Sequence, residues 1–389
     1  MQRHYGLDWL RIGAFAILIV YHIGMVFVPW GFHAKLATED WVALPMMLSN
    51  PWRLSLLFIV SGFATRALFA RHAHLWPFVR NRTARLLIPL LFGMVVIVPP
   101  QPWVELVTQH GYNGDFLAFW TGDYFRFGTL SGLDLPTWNH LWFVAYLWVY
   151  TLLFTGLVAI APARVRRAGQ WLFERLCGGI GALVLPMAWL MIVSAILFPG
   201  ARETHAMAGD WVAHASYFPM FVFGFALAGS ERTLATLARW WKPTAVLAIL
   251  AYVIVSGIAL MFMGSRVTPR PFGTIFSVAR GIEGWMAIAA LIGIAETFWN
   301  HDHRWRPMLT EAVFPFYIIH QTVIVVVAYW LMPLGLPGVA EFAILLGATT
   351  AACWVFYLVG RRIAPLRPLI GLRLHRRGTA VVDPRPAVI

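Results

Sequence analysis

The chain has 389 residues, of which 60% are hydrophobic and only 12% charged, a composition that excludes an ordinary soluble domain and indicates a polytopic membrane protein. Its formal net charge of +13 does not indicate nucleic acid binding, because the basic residues lie in short segments between apolar runs, as membrane topology requires. The two cysteines, Cys177 and Cys353, are too few for a zinc cluster or a disulfide framework.

The apolar runs predict an all-α protein with about ten transmembrane helices, since a span needs about 20 mostly apolar residues. Segment 53–70 is the weakest of them, because Arg53 and Ser61 are among several polar residues in it. Segment 41–49 is apolar but too short to span, and we expect it to be re-entrant or to lie at the membrane interface. The predicted spans are 10–29, 53–70, 85–101, 139–160, 178–198, 212–229, 244–263, 280–299, 309–331 and 339–360.

Lysine and arginine are concentrated in the loops that face the cytoplasm if both chain termini are cytoplasmic, and we predict this orientation in the inner (plasma) membrane. Residues 1–363 are expected to form the transmembrane domain, and the basic segment 364–389 a cytoplasmic tail that lies on anionic lipid. Loop 102–138 faces the other side. Its aromatic and carboxylate side chains either bind a sugar or simply cap the bundle, and the sequence leaves both interpretations open.

Arg11 and His22 lie in the first span, eleven positions apart. This is almost three helical turns, so both side chains lie on one helix face about 16 Å apart along the axis. Ionisable side chains inside a membrane are costly and usually indicate function. Asp8 lies three positions before Arg11 and could pair with it, in which case Arg11 would be a topological anchor. His22 is predicted to lie near the middle of the membrane.

His320 lies in the ninth span, which runs in the same direction as the first, at a depth similar to that of His22. Imidazole titrates near neutrality and is the commonest general base in enzymes. A single intramembrane histidine could merely hydrogen-bond a neighbouring helix. Two histidines at one depth, with Arg11 aligned below one of them, favour a catalytic function.

An arginine cluster, residues 80–85, opens the third span from the cytoplasm. Guanidinium groups at a helix N-terminus bind anions well, so Arg82 and Arg85 could bind the phosphates of a nucleotide donor. The alternative is that they only fix the topology. The histidine pairs 72/74 and 301/303 lie in basic cytoplasmic loops, and no metal site is predicted there.

Three further polar positions in the spans are weaker candidates. Ser61 precedes Gly62, a pair that favours close packing between helices. His140 opens the fourth span on the outer side, where it could contact an acceptor. Glu283 is an acid within the eighth span and could pair with Arg280, three positions earlier.

Four sequence motifs, in this order along the chain, resemble those of acyltransferase family 3, a family of membrane O-acyltransferases. The first is similar to its Arg-x10-His signature, the second to its second-span motif, the third to its cytoplasmic Arg-x-x-Arg motif and the fourth to its late Tyr-x-x-His stretch. They are Leu7-Asp8-Trp9-Leu10-Arg11 through His22, Phe58-Ile59-Val60-Ser61-Gly62-Phe63, Arg82-Thr83-Ala84-Arg85-Leu86 with Pro89, and Phe316-Tyr317-Ile318-Ile319-His320-Gln321.

This resemblance implies acyl-CoA as a cytoplasmic co-substrate, no tightly bound cofactor, and a hydroxyl acceptor, often a carbohydrate, on the other side of the membrane. Arg11, Arg82 and Arg85 would then contact the nucleotide phosphates, His22 would be the general base, and His320 would orient it. Many members carry a Trp-Ser-Leu-x-x-Glu stretch where this chain reads His-Leu-Trp-Phe at 140–143. That form resembles the branch that succinylates periplasmic glucans, so acetyl and succinyl donors both stay open.

Two other functions are compatible with ionisable groups in spans: a transporter, or a non-enzymatic partner in the export of envelope glycans. The chain shows neither an inverted repeat nor a P-loop, and it has few deep ionisable groups. These features favour the acyltransferase.

Overall fold

The structure, a computed structural model, describes residues 4–72, 74–264 and 268–374. Helices dominate, because every backbone N–H and C=O inside a membrane must find its hydrogen bond within the protein. The α-helices of the described residues are α1 Tyr5–Gly24, α2 Ala43–Met47, α3 Asn50–Phe69, α4 Leu75–Phe92, α5 Pro100–Gln109, α6 Phe116–Thr121, α7 Trp142–Ile160, α8 Ala163–Cys177, α9 Gly181–Ile192, α10 Trp211–Leu227, α11 Glu231–Met261, α12 Arg270–Phe298, α13 Arg306–Leu331, α14 Gly338–Arg362 and α15 Leu366–Leu369.

The prediction of an all-α polytopic membrane protein is confirmed, and each of the ten predicted spans contains a helix. Two of the predicted spans correspond to helices that are too short to cross a membrane alone. Segment 178–198 contains α9, which is long enough only together with α8, and the two are bent by 93° relative to each other. Segment 212–229 contains α10. Eight helical segments of the described chain are long and apolar enough to cross a membrane: Tyr5–Gly24, Asp40–Phe69, Leu75–Gln109, Asn139–Ile160, Glu231–Met261, Arg270–Phe298, Arg306–Leu334 and Gly338–Arg362.

Short helical turns extend several of these helices. Segment 41–49 becomes a 3₁₀ turn followed by α2, directly before α3. Two π-helical turns, after α4 and after α9, widen those helices locally. The turns are the 3₁₀ segments Asp40–Val42, Asp123–Phe125, Asn139–Leu141 and Met332–Leu334 and the π segments Gly93–Ile97 and Val193–Leu197.

Helix α3, predicted to be the weakest span, lies inside the bundle and packs against α1, α7, α10 and α12. Ten of its 20 residues are buried. Gly62 and Gly224 allow α3 and α10 to approach closely, since a Cβ on Gly62 would lie only 2.0 Å from the carbonyl oxygen of Phe221. A helix that faces protein on most sides needs no continuous apolar surface, which explains why it contains Arg53 and Ser61.

The loop 102–138 folds into a small unit outside the main bundle. It contains the end of α5, helix α6 and a hairpin of strands Gly128–Leu130 and Leu133–Leu135. The hairpin turns through Ser131 and Gly132, which both have positive φ, as tight hairpins require. The unit has its own apolar core, formed by Leu106, Phe119, Tyr124 and Leu135.

The first residues of the predicted tail pack on the bundle. Ile370 and Leu372 are buried with Ala312 and Tyr357. Arg367 is also buried, and it donates hydrogen bonds to two backbone carbonyls. The rest of the tail, from residue 375, lies outside the described residues, so its contact with lipid stays a prediction.

Candidate active site

His22 and His320 are in direct contact, which agrees with their similar predicted depth. Nδ1 of His22 lies 3.0 Å from Nε2 of His320. His22 lies in the last turn of α1 because that helix ends at Gly24, so it is nearer the end of the span than the predicted middle. His320 is fully buried within α13.

The hydrogen bonds of His320 determine which nitrogens carry protons in the neutral pair. Nδ1 of His320 lies 2.8 Å from the carbonyl oxygen of Tyr317, which can only accept, so this nitrogen is the donor. Nε2 of His320 then accepts a hydrogen bond from Nδ1–H of His22. This leaves the lone pair on Nε2 of His22, the arrangement that a general base needs.

His140 is the third imidazole of this group. Its ring lies perpendicular to that of His320, with 5.1 Å between the centroids. Nε2 of His140 donates to the carbonyl of Ile318 over 3.0 Å, and the hydroxyl of Tyr317 donates to the carbonyl of His140. The residue predicted to contact an acceptor therefore also joins the start of α7 to α13.

A buried network of amide and hydroxyl groups joins α13, which carries His320, to α5 and to the turn after α4. Gln101 donates to the hydroxyl of Thr322 over 2.7 Å and accepts from Gln321 over 3.0 Å. Thr322 in turn donates to the carbonyl of Ile97, in the π-helical turn after α4. Because these groups are buried and hydrogen-bonded to each other, they hold α13 in a fixed register beside α5.

His22 and His140 both line a large cavity of about 1210 Å³. Its walls include the loop near residues 199–205 and residues 268–274 at the start of α12, which the topology prediction places on the extracytoplasmic side. No residue of loop 102–138 lines it. The sugar-binding interpretation of that loop is not supported by this cavity and stays a prediction.

Aromatic rings and one carboxylate form part of the cavity wall. Glu203 accepts a hydrogen bond from the hydroxyl of Tyr217 over 2.6 Å and lies 3.2 Å from His205. The ring of His205 stacks on Trp142, with 4.2 Å between the centroids. Aromatic faces beside hydrogen-bonding groups form a surface suited to a sugar.

Arg53 brings a guanidinium group into the same wall. It is 5% exposed, and its Nε and Nη1 have no hydrogen-bond partner among the described residues. Its Cζ lies 3.6 Å from the centre of the Tyr21 ring. A cation–π contact of this kind contributes about 2 kcal/mol when desolvated, whereas burying an ion costs several kcal/mol. The stacking alone does not offset the burial of this charge.

The predicted donor-binding arginines lie together near the other end of α1. Arg82 is within electrostatic range of Arg11 and Arg85. Arg11 donates to the carbonyl of Thr310 over 3.4 Å, while its Nε and that of Arg82 have no hydrogen-bond partner in the described chain. Three clustered guanidiniums, two of which have an unused donor, suit a polyanion such as a nucleotide phosphate.

Phe15 separates the two groups on α1. It is buried, and its ring packs edge-on against Tyr317, with 5.5 Å between the centroids. The cavity lining includes Leu18 but neither Phe15 nor Arg11. The cavity beside His22 therefore does not extend along α1 to the arginine cluster.

Two predicted ion pairs are corrected by the structure. Asp8, expected to pair with Arg11, forms an ion pair with Arg306 at the start of α13, with 2.8 Å between Oδ2 and Nη1. Glu283, expected to pair with Arg280, has no hydrogen bond to either carboxylate oxygen among the described residues. Arg280 donates instead to Asn50 over 3.3 Å, because its side chain turns toward α3.

Ser61 lies in the interior of α3, where its carbonyl accepts a hydrogen bond from the Thr65 hydroxyl over 2.7 Å. It does not line the cavity. Within the described ranges, no group of three or more histidine, cysteine, aspartate or glutamate side chains could hold a metal ion.

Comparison with known proteins agrees with the order of the motifs. The acyltransferase domain of acyltransferase family 3 matches residues 4–358. The chain belongs to acyltransferase family 3. It is similar to glucans biosynthesis protein C of Salmonella gallinarum (26% identity over 164 residues, 42% of this chain and 41% of that protein) and of Escherichia coli K12 (24% over 269 residues, 65% and 66%).

This family 3 chain therefore spans less than two thirds of the length of those curated relatives. No solved structure matches it. Sequence reasoning missed two parts of the site: the charge of Arg53 and the network around Gln101. The signal for both was present, since each is a polar side chain within an apolar run, the same signal that identified His22.

Proposed function

We propose that this chain is an integral membrane O-acyltransferase that moves an acetyl or succinyl group from cytoplasmic acyl-CoA to a hydroxyl of an extracytoplasmic glycan. The observation that carries the proposal is the histidine pair. His320 is held by the Tyr317 carbonyl, His22 is held by His320, and the remaining nitrogen of His22 belongs to a residue that lines the cavity.

His22 acts as the general base in this mechanism. Nε2 of His22 takes the proton of the acceptor hydroxyl while the hydroxyl oxygen forms a bond to the thioester carbonyl carbon. The electron pair of the C=O bond moves to oxygen. When the tetrahedral intermediate collapses, the C–S bond breaks, and the coenzyme A sulfur leaves and takes the proton. General base catalysis of this kind contributes about 10²–10⁴-fold.

The acyl-CoA donor binds with its phosphates at Arg11, Arg82 and Arg85. Arg11 and His22 lie about 16 Å apart along α1, as eleven residues of α-helix require. The phosphates and the thioester are therefore at different depths, and an extended pantetheine arm joins them.

The acceptor is a carbohydrate that enters the extracytoplasmic cavity. A volume of about 1210 Å³ holds several sugar units, and the wall of Trp142, His205 and Tyr217 offers rings beside the Glu203 carboxylate. The relatives named glucans biosynthesis protein C make a glucan the first acceptor to test. The protein then works in the inner membrane, between its cytoplasmic donor and this acceptor.

The test is release of free coenzyme A by the purified protein in detergent, with acetyl-CoA or succinyl-CoA and a glucan oligosaccharide. We expect acceptor-dependent thiol release by the wild type, and its loss in His22→Ala. His301→Ala, at an exposed position, is the matched control and should retain activity. Uptake of glucan into vesicles without thiol release would contradict the proposal and support a transporter.

A further inference from the structure

The cavity beside His22 carries more positive charge than its own residues neutralise. Among the described residues that line it, Glu203 is the only acid, whereas four arginines line the same walls: Arg53, Arg202, Arg270 and Arg280. Glu203 is already hydrogen-bonded to Tyr217 and His205. The cavity is therefore built to receive negative charge from outside the protein.

Of these four arginines, Arg53 lies against the residue next to the base in the chain. Its guanidinium stacks on Tyr21, the residue next to His22 in the chain, and it is within electrostatic range of the His22 ring. It is buried, yet Nε and Nη1 have no partner in the described chain. Arg53 and His22 both line the cavity, so this incompletely hydrogen-bonded guanidinium belongs to the same wall as the base.

The position of Arg53 is fixed by its neighbours. Asn50 donates to the hydroxyl of Tyr21 over 2.8 Å and accepts from Arg280 over 3.3 Å. Tyr21 is held in place by this bond, and Arg53 lies against its ring. A guanidinium held in this way needs little reorganisation when negative charge develops next to it.

We propose that Arg53 donates hydrogen bonds to the thioester carbonyl oxygen and stabilises the negative charge that this oxygen acquires when the acceptor attacks. The inference rests on the proposed function and adds a residue to it. His22 removes the proton from the acceptor hydroxyl oxygen. Arg53 stabilises the negative charge that the thioester carbonyl oxygen acquires. The intermediate then returns that pair to the carbonyl as the C–S bond breaks, so Arg53 itself loses and gains no proton.

The test is steady-state kinetics of Arg53→Gln and Arg53→Lys with both acetyl-CoA and succinyl-CoA. We expect kcat of Arg53→Gln to fall about 100- to 1,000-fold with either donor, as when one oxyanion donor is removed, with little change in KM. Arg53→Lys keeps the charge and should lose less. Arg304→Gln removes an exposed arginine that lies against Trp305 outside the cavity, and it should behave as the wild type.

Three results would overturn this role of Arg53. A loss confined to succinyl-CoA would mean that Arg53 binds the carboxylate of the acyl group. A raised KM for the glucan at unchanged kcat would mean that it binds the acceptor. Unchanged kinetics in both variants would leave it no role in transfer. If Arg53→Gln does not fold, the test rests on Arg53→Lys. A wild-type kcat of Arg53→Lys in all assays would show that the reaction does not need the guanidinium group. A wild type that transfers no acyl group is a different result and refutes the proposed function itself.

Discussion

His22 and His320 are separated by 298 positions in the chain, yet their ring nitrogens lie 3.0 Å apart. The direction of this hydrogen bond follows from the backbone carbonyl of Tyr317, which accepts from Nδ1–H of His320 and leaves Nε2 of His320 as the acceptor. The two residues are therefore not equivalent: His22 lines the cavity, and His320 lies behind it. Replacing each one should have a different effect.

His320→Gln should lower kcat by less than His22→Ala does, because it leaves the base in place but no longer fixes its tautomer and orientation. The fall in kcat of His320→Gln should therefore not exceed the general-base contribution of about 10²–10⁴-fold. KM for both substrates should stay near the wild-type value, since His320 does not line the cavity. Kinetics of both variants check this, and a His320→Gln enzyme with full kcat would contradict the orienting role.

Arg82→Gln and Arg85→Gln should raise KM for acyl-CoA about tenfold or more, because a hydrogen bond to a charged group contributes about 1.5–3 kcal/mol. The kcat at saturating donor should change little. Arg80→Gln is the matched control from the same segment, since Arg80 is exposed. If all three variants keep the wild-type KM for acyl-CoA, this segment only sets the membrane topology.

Gly62→Ala should destabilise the protein, because the added Cβ would lie 2.0 Å from the Phe221 carbonyl oxygen and force α3 away from α10. Overpacking of this kind costs about 1–3 kcal/mol. Gly257→Ala in α11 has no atom within 4 Å of the new Cβ and should be neutral or stabilising. Thermal unfolding in detergent compares them, and an equal melting temperature would contradict the close approach of the two helices.

His4 should make stability depend on pH. Its hydrogen bond with Glu296, over 2.9 Å, raises the pKa of the imidazole above its ordinary value of 6.5, and the charges of Glu296 and Glu231 act in the same direction. A raised folded-state pKa means that the pair stabilises fully below about pH 6.5 and that this stabilisation is lost as pH rises through the raised value. His4→Gln should flatten the dependence of the melting temperature on pH in that window. An unchanged dependence in this variant would show that other groups cause it.

Much of the fold could be predicted from the sequence because lipid imposes long apolar helices. The positions of α7 and α14 follow from their hydropathy alone. Helix α3 was harder, since its burial comes from α10 and α12 rather than from lipid, and hydropathy does not report contacts between helices. The fold of loop 102–138 depends on a small core and a hairpin turn that no membrane rule predicts.

The site was predictable where an ionisable side chain costs free energy inside an apolar span, as His22, His320 and the clustered arginines do. It was not predictable where the partner depends on tertiary packing. Asp8 pairs with Arg306, almost 300 positions away, and a local spacing rule pointed to Arg11 instead. In the sequence, Arg53 is only a polar residue that weakens a predicted span, because its place beside Tyr21 becomes visible only in the folded chain.

If the protein moves an acyl group to an envelope glycan with His22 as the general base, the esters on the cell's glycans depend on His22, and mass spectrometry of these glycans measures that dependence. Cells that lack the protein should be complemented with the wild type, with His22→Ala, or with His301→Ala. We expect acetyl or succinyl esters on the glycans with the wild type and His301→Ala, and their absence with His22→Ala at equal protein levels in the membrane. Esterified glycans in cells that contain only the His22→Ala protein would refute the role of His22 as the general base.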